Sequence, residues 1–326
     1  MRSKLGCFLL AAFASGFGFT TQAQQPTKIP KIGWLLGRPI ATSAALEGAR
    51  RELRALGYIE GKNIAFEYRS ADNQLDRLPT LADELVRLKV DVILAAALNE
   101  ALAAKAVTQT IPIVFLGNGD PVAAGLIDSL ARPGGNITGF TTIAAVLVGK
   151  LLELLKETVP KLSTVAVLWN PQEASSAQQW KESQLPARQL GLQLHSMEVS
   201  AADKFESAFK AATDAHSGGV AVTQFALGFS NQKQIAELAV KNRLPAIYTR
   251  RDPVDAGGLM SYGSDRIEPF QRVAVFVDKI LKGTKPADIP VEQPRKFEFV
   301  INLKAAKQIG LTIPPNLLVR ASTVIK

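Results

Sequence analysis

The sequence predicts an α/β fold of two doubly wound parallel-sheet lobes joined by a hinge. Three observations predict it. Strand-like apolar runs alternate with helical stretches along most of the chain, the pattern that produces right-handed crossovers and parallel sheets. The pattern is written twice: KIGWLLGRPIATSAALEGARRELRALGYIEGKNIAFEYRSAD is matched, about 130 residues on, by STVAVLWNPQEASSAQQWKESQLPARQLGLQLHSMEVSAAD. Each copy is a strand-like run, a polar loop, a helix ending in Leu-Gly, a second strand-like run, and an Ala-Asp pair. Finally, a helix, a strand and another helix remain after the second copy, so the chain recrosses between lobes and leaves a cleft. The expected division is a leader over 1–23, a first lobe of 28–143 plus 265–290, and a second of 144–264 plus 291–326.

The first segment, MRSKLGCFLLAAFASGFGFTTQAQQ, has Arg2 and Lys4, an apolar stretch from Cys7 to Phe19, and polar residues ending at Ala23. That is the three-part secretory signal, with cleavage expected after Ala23 and a periplasmic destination. The apolar stretch of about thirteen residues is shorter than the roughly 20 that span a bilayer. Cleavage also removes Cys7, the only cysteine, and with it any thiol or disulfide chemistry.

In the first lobe, Leu46, Ala49, Leu53 and Leu56 form one apolar helix stripe closed by Gly57. Leu78, Leu81, Leu85 and Leu88 make a second, with Asp76 as cap and Pro79 in the first turn. VDVILAAAL and IPIVFLG are continuous apolar runs, as strands covered on both faces require. Asp120 and Pro121 then read as N-cap and first position of a helix running through Leu130. Late in the chain, Phe270, Val273, Ala274, Val277, Ile280 and Leu281 share a helical face closed by Gly283. KFEFVINL and a helix over Lys304 to Ile309 follow, and Pro314-Pro315 ends the regular pattern.

Composition narrows the function classes. With 326 residues, 47% hydrophobic, 21% charged and 18 prolines, the chain is globular. Its charge of +9 is spread over Arg50, Arg51, Arg54, Lys105, Lys150, Lys241 and Lys282 among interleaved acids. Solvated helix faces explain these charges, and no nucleic-acid motif accompanies them. His195 and His216 lack metal-ligand spacing, and no Gly-x-Ser-x-Gly, His-Glu-x-x-His or Gly-Lys-Ser/Thr motif occurs. GNGDPV has valine where a dinucleotide fingerprint needs its third glycine, and Asp120 repels phosphate. No catalytic residue, metal or cofactor is expected, and the chain is expected to be a monomer.

In open α/β sheets ligands sit beyond the carboxyl ends of the strands. That rule nominates Gly37 and Arg38 after KIGWLL, Leu98 and Asn99 after VILAAA, and Asn118, Gly119 and Asp120 after IPIVFLG. In the second lobe it nominates Trp169 and Asn170, Gln224 and Phe225, and Thr249 and Arg250; Tyr262 stands near the hinge. Arg38 either forks onto a ligand carboxylate or lies in solvent. Asp120 is a cap alone, or also receives a ligand ammonium. Trp169 stacks on a ligand or packs in the core, and Tyr262 bonds ligand or backbone.

GYIEGKNIAFEYRSAD, IPIVFLGNGDPV, LARPGGNITGF, DAGGLMSYGSD and PVEQPRKFEFVINLKAAKQIGLTIPP together closely resemble the ABC-transporter substrate-binding family that includes tryptophan and tyrosine binders. The resemblance covers the mature chain and implies a periplasmic binding protein type I fold. It implies capture of a small solute, an aromatic or other apolar amino acid being the precedent, by hinge closure. It implies transfer to an ABC permease with its cytoplasmic ATPase, and it places the Asp-Pro loop at the cleft. Leu98-Asn99 stands where relatives carry small residues with threonine or serine. Gln224-Phe225 stands where an Asp-Pro is expected, and both departures bear on ligand identity. A sensor that presents the closed state to a membrane receptor, or an exported hydrolase, are the alternatives.

Overall fold

The structure, a computed structural model, describes residues 28–40, 44–264 and 268–326; the expected leader over 1–23 lies outside them. Strands β1 (Lys31–Leu36), β2 (Ala65–Ser70), β3 (Val92–Ala95), β4 (Ile113–Gly117) and β5 (Ile137–Thr141) form one wholly parallel sheet, ordered β2-β1-β3-β4-β5. Successive side chains of a strand point to opposite faces, and both faces here are apolar. Leu35, Ile93 and Phe115 pack with Leu81 and Leu85 of α2 (Leu78–Arg87) and Ala101 and Ala104 of α3 (Leu98–Val107). Trp34, Leu94 and Val114 face Ala49 and Leu53 of α1 (Ala44–Ala55) and Val273 and Val277 of α10 (Glu268–Leu281).

The second sheet repeats this plan. Strands β6 (Thr164–Trp169), β7 (Gln193–Glu198), β8 (Gly219–Val222), β9 (Ala246–Tyr248) and β10 (Met260–Ser264) run parallel in the order β7-β6-β8-β9-β10. Two strands extend it: β11 (Phe297–Asn302), antiparallel to β10, then β12 (Thr323–Ile325), parallel to β11. Val165, Ala221 and Ile247 pack against Leu151 and Leu155 of α4 (Ala144–Thr158), while Ala166, Val220 and Tyr248 face Phe205 and Phe209 of α6 (Phe205–Asp214). Between these lie α5 (Ala174–Gln189), α7 (Ala226–Ser230), α8 (Gln232–Lys241) and α9 (Asp252–Asp255).

The chain passes between the two sheets three times. It leaves β5 for α4 through Thr142 and Ile143, and Ile143 adopts a left-handed φ of 49°. It returns from β10 to α10, which packs on α1, β4 and β5. A third passage leads to β11, tied to the first sheet by Thr138 Oγ1 donating to the Ile289 carbonyl at 2.8 Å and by the Glu292 N–H donating to the Gly139 carbonyl at 3.0 Å, and to α10 by the Arg272–Glu292 ion pair.

Several local expectations need correction. No helix follows Pro121: Leu126 N–H and Ile127 N–H both reach back to the Pro121 carbonyl, and Gly125, at φ 67°, turns the chain after a single loop. Asp76 does not cap α2; it sits in a preceding 3₁₀ turn, and Arg77 holds the cap position with no side-chain bond. Leu56 lies past the end of α1 and is exposed. Regular structure continues beyond Pro314-Pro315, because a proline in the first turn suits a helix start; α11 (Leu303–Gln308) is followed there by α12 (Pro315–Arg320) and β12.

Candidate functional site

Both sheets share the order 2-1-3-4-5 in their parallel part, so each has a crevice where its strand order reverses, beyond the carboxyl ends of its first and third strands. The two crevices face each other across one cavity of about 160 Å³. That is the size of an engineered protein cavity that holds a benzene-sized ligand. Arg38, Ala96, Ala97, Gly117, Asn118 and Thr142 wall it from strand ends of the first lobe. Glu173, Gln224, Ala226, Phe229, Arg250 and Asp252 wall it from the second, and Ser264, Pro269 and Phe270 from the passage between them.

The lobes touch around its rim. Asn118 Nδ2 donates to the Gln224 carbonyl at 3.3 Å and Thr142 Oγ1 to Gln224 Oε1 at 3.3 Å. Asn99 Nδ2 donates to the Gln172 carbonyl at 3.1 Å, and Asn99 Oδ1 accepts the Ala174 N–H at 2.9 Å. The Asp120 N–H donates to Gln178 Oε1 at 2.8 Å while Gln178 Nε2 donates to the Asp120 carbonyl at 3.1 Å. This two-bond clamp joins the loop after β4 to α5.

Charge inside the cavity is unusual for its burial. Glu100, in the first turn of α3, is 4% exposed and accepts the Gly37 N–H at 2.7 Å. Glu173 is 6% exposed; both of its oxygens accept the Ala226 N–H, at 2.9 and 2.7 Å, and Oε1 also accepts from Asn170 Nδ2 at 3.2 Å. Burial disfavours the charged form and pushes Glu173 up to about 7, with the Glu100 charge adding and the hydrogen bonds opposing. Burial raises Glu100 too, against its backbone bonds and Arg38. Burial likewise lowers Arg38, which Glu100 partly offsets. The Arg38 and Arg250 guanidiniums both lie over the Phe229 ring, 4.9 and 5.1 Å from its centroid. Arg250 is also bonded to Asp252 Oδ2, from Nε at 2.8 Å and Nη2 at 2.7 Å.

Of the residues nominated from sequence, Arg38, Asn118, Gln224 and Arg250 meet at the cavity wall. The others do not line it. Gly37 stands behind the wall, holding Glu100. Leu98 and Phe225 are core residues at 1% exposure each. Asn99 and Gly119 serve the contact between lobes: a methyl group on Gly119 would overlap Gln178 Oε1. Asp120 is the turn cap, its Oδ1 accepting the Val122 and Ala123 N–H groups at 2.9 and 3.1 Å. Trp169 stacks on Trp180 at 5.4 Å and donates to Ser196 Oγ at 2.8 Å, inside the second lobe. Asn170 orients Glu173, Thr249 is buried beside the cavity, and Tyr262 stacks on Phe297 at 5.9 Å.

Glu100, Glu173, Phe229 and Asp252 were not nominated. Each lies four to seven residues beyond a strand end, at the cap or in the first turns of the following helix, where an acid or a lone aromatic reads as an ordinary helix residue. Extending the strand-end rule by one helical turn would have found both glutamates.

Two substitutions separate these roles. Asp120→Asn is expected to leave the melt and the affinity for a copurifying ligand unchanged, because asparagine caps as well as aspartate. Gln178→Ala removes two bonds that exist only between lobes, so affinity should fall about tenfold while unfolding of the lobes changes little. Calorimetric titration beside a thermal melt reads both; equal affinity for Gln178→Ala would dismiss the clamp.

A family model described as ABC transporter substrate binding protein matches residues 40–325. The chain is 28% identical over 270 residues to a tyrosine-binding protein of Clostridioides difficile (strain R20291), covering 82% of this chain and 76% of that one. Among solved structures it is similar to a conserved domain protein from Vibrio cholerae, with a TM-score of 0.85 at 30% identity over 91% of this chain and 100% of that one. It shares the fold of an ABC domain from Streptococcus pneumonia in complex with L-Trp, with a TM-score of 0.81 at 24% identity over 91% and 99% of the two chains.

Proposed function

Because the chain belongs to the ABC transporter substrate-binding protein family, we propose that it captures a small solute in the cavity between its lobes and delivers it to an ABC permease. The observation that carries this is the cavity itself, walled by strand ends of both sheets and rimmed by hydrogen bonds that only a closed pair of lobes can make. A permease can therefore tell the loaded protein from the empty one by shape. The Phe229 and Phe270 rings and the small Ala96 and Ala97 suit a solute with a flat apolar part. Tyrosine and L-tryptophan, which relatives bind, are the first compounds to test.

The same proposal assigns residues 28–143 plus 265–290 to one lobe and 144–264 plus 291–326 to the other, with the three passages as hinge. It takes the chain to be a monomer exported by its N-terminal leader, with no affinity for nucleic acid. Among the described residues no helix is long and apolar enough to cross a membrane. It also takes the bound solute to leave unaltered. The test is to denature the purified protein, identify the released small molecule by mass spectrometry, and titrate it back. One-to-one binding, with the compound recovered intact after long incubation, is expected. Steady conversion of the compound, abolished by a cavity substitution, would replace capture with catalysis.

A further inference from the structure

The charged groups on the cavity wall are not equally engaged. Glu100 is held by the Gly37 N–H, Glu173 by the Ala226 N–H and Asn170, and Asp252 by Arg250. Arg38 differs. Among the described residues its guanidinium makes no hydrogen bond and lies within 4 Å of no carboxylate, although the residue is half-buried; its close partner is the face of Phe229 at 4.9 Å. A ring face returns only part of what a guanidinium loses on leaving water. Five N–H donors in a fixed fork match a planar oxyanion. A second mismatch lies on the same wall: Asn118 Oδ1 is fully buried with no hydrogen-bond partner, although its Nδ2 donates to the Gln224 carbonyl. Buried polar atoms are normally satisfied, and both residues line the one cavity.

Resting on the solute-capture reading above, we infer that the ligand is a net anion. Its carboxylate, or a similar planar oxyanion, seats on Arg38 beside Arg250, and a hydroxyl or amide N–H donates to Asn118 Oδ1. A zwitterionic amino acid is the poorer fit, because its ammonium meets only carboxylates that the protein already holds. Both buried glutamates are, besides, pushed toward the neutral form by burial, which leaves the wall short of negative charge for an ammonium and favourable to an anion.

The test uses matched sets of compounds on the full mature protein: aryl and alkyl carboxylic acids, the α-amino acids that share their side chains, and the corresponding amines. For the tyrosine set these are 3-(4-hydroxyphenyl)propanoate, L-tyrosine and tyramine. Thermal shift screens them and calorimetry ranks the hits. Within any set that binds, the acid is expected to bind at least tenfold more tightly than the amine and no more weakly than the amino acid. Arg38→Met should weaken the acid at least about thirty-fold, while the ligand-free melt stays level or rises, since a half-buried cation with no hydrogen-bonded anion is removed. Tighter binding of the amino acid or the amine, or an Arg38→Met protein that binds the acid normally, would overturn the anion assignment and leave solute capture standing. A protein that none of the compounds shifts, and from which no small molecule is released on denaturation, would remove the capture reading and the anion assignment together.

Discussion

Gly263→Ala is expected to lower the stability of the second lobe by about 3 kcal/mol or more and to abolish solute binding. Gly263 lies in β10 against the end of β9, and a methyl group on it would overlap the Thr249 carbonyl oxygen and press on the Thr249 carbonyl carbon at 2.8 Å. Neither is a flexible side chain, so the strands themselves must part. Parting them displaces the residue that follows, Arg250, whose guanidinium stands over Phe229 on the cavity wall. The first lobe has the same device: Gly139 of β5 sits so close to β4 that a methyl there would overlap the Phe115 carbonyl oxygen. The melting temperature of Gly263→Ala should fall by roughly 5–10 °C. A melt and a titration that match the parent protein would show that β9 and β10 are not held at this spacing.

The ligand-free protein should lose stability as pH rises from 5 to 8, by on the order of 3 kcal/mol, mainly through Glu173. The sign follows from its pKa of about 7 in the fold against an ordinary 4.5 in the unfolded chain. Below 4.5 both states are protonated and the stabilisation is fully present. Between 4.5 and 7 the unfolded chain releases the proton while the folded chain keeps it, so stability falls until both are ionised. Glu100, raised in the same direction, steepens the fall. Arg38 opposes it by favouring the ionised glutamates. Urea unfolding at a series of pH values reads the effect directly. Glu173→Gln should flatten most of the slope; an unchanged slope would place the proton uptake elsewhere.

The fold was legible because burial on both sheet faces leaves a mark at every position. Leu35 and Trp34 point to opposite sides, and both must be apolar. The repeat from β1 to β6 then carries the plan of one lobe to the other. The stretch after Pro121 was misread for a physical reason: its helix-start residues are sound, but Gly125 reverses the backbone within one turn. The site was half legible. Arg38, Asn118, Gln224 and Arg250 immediately follow strands, where topology alone puts residues at the crevice. Glu100, Glu173 and Phe229 reach it from helices or their caps, and for the two glutamates only depth distinguishes them from surface residues. Asn99 and Gly119, nominated by the same rule, lie against the opposite lobe. Trp169 and Tyr262 found other aromatic rings inside their own lobe.

The central claim, that a solute is held by closure of two lobes, is tested most directly by the distance between them. The sequence holds one cysteine, Cys7, so a protein begun at Gln24 can carry spin labels at Val122→Cys and Leu185→Cys alone. Both positions are exposed, at 41% and 60%, on the first and second lobe respectively. Distances are measured in protein stripped by unfolding and refolding, then again after the small-molecule fraction released from native protein is returned. A broad distribution in the stripped protein that narrows to one shorter distance on return is the predicted result. A distribution that stays the same while calorimetry records binding would contradict closure.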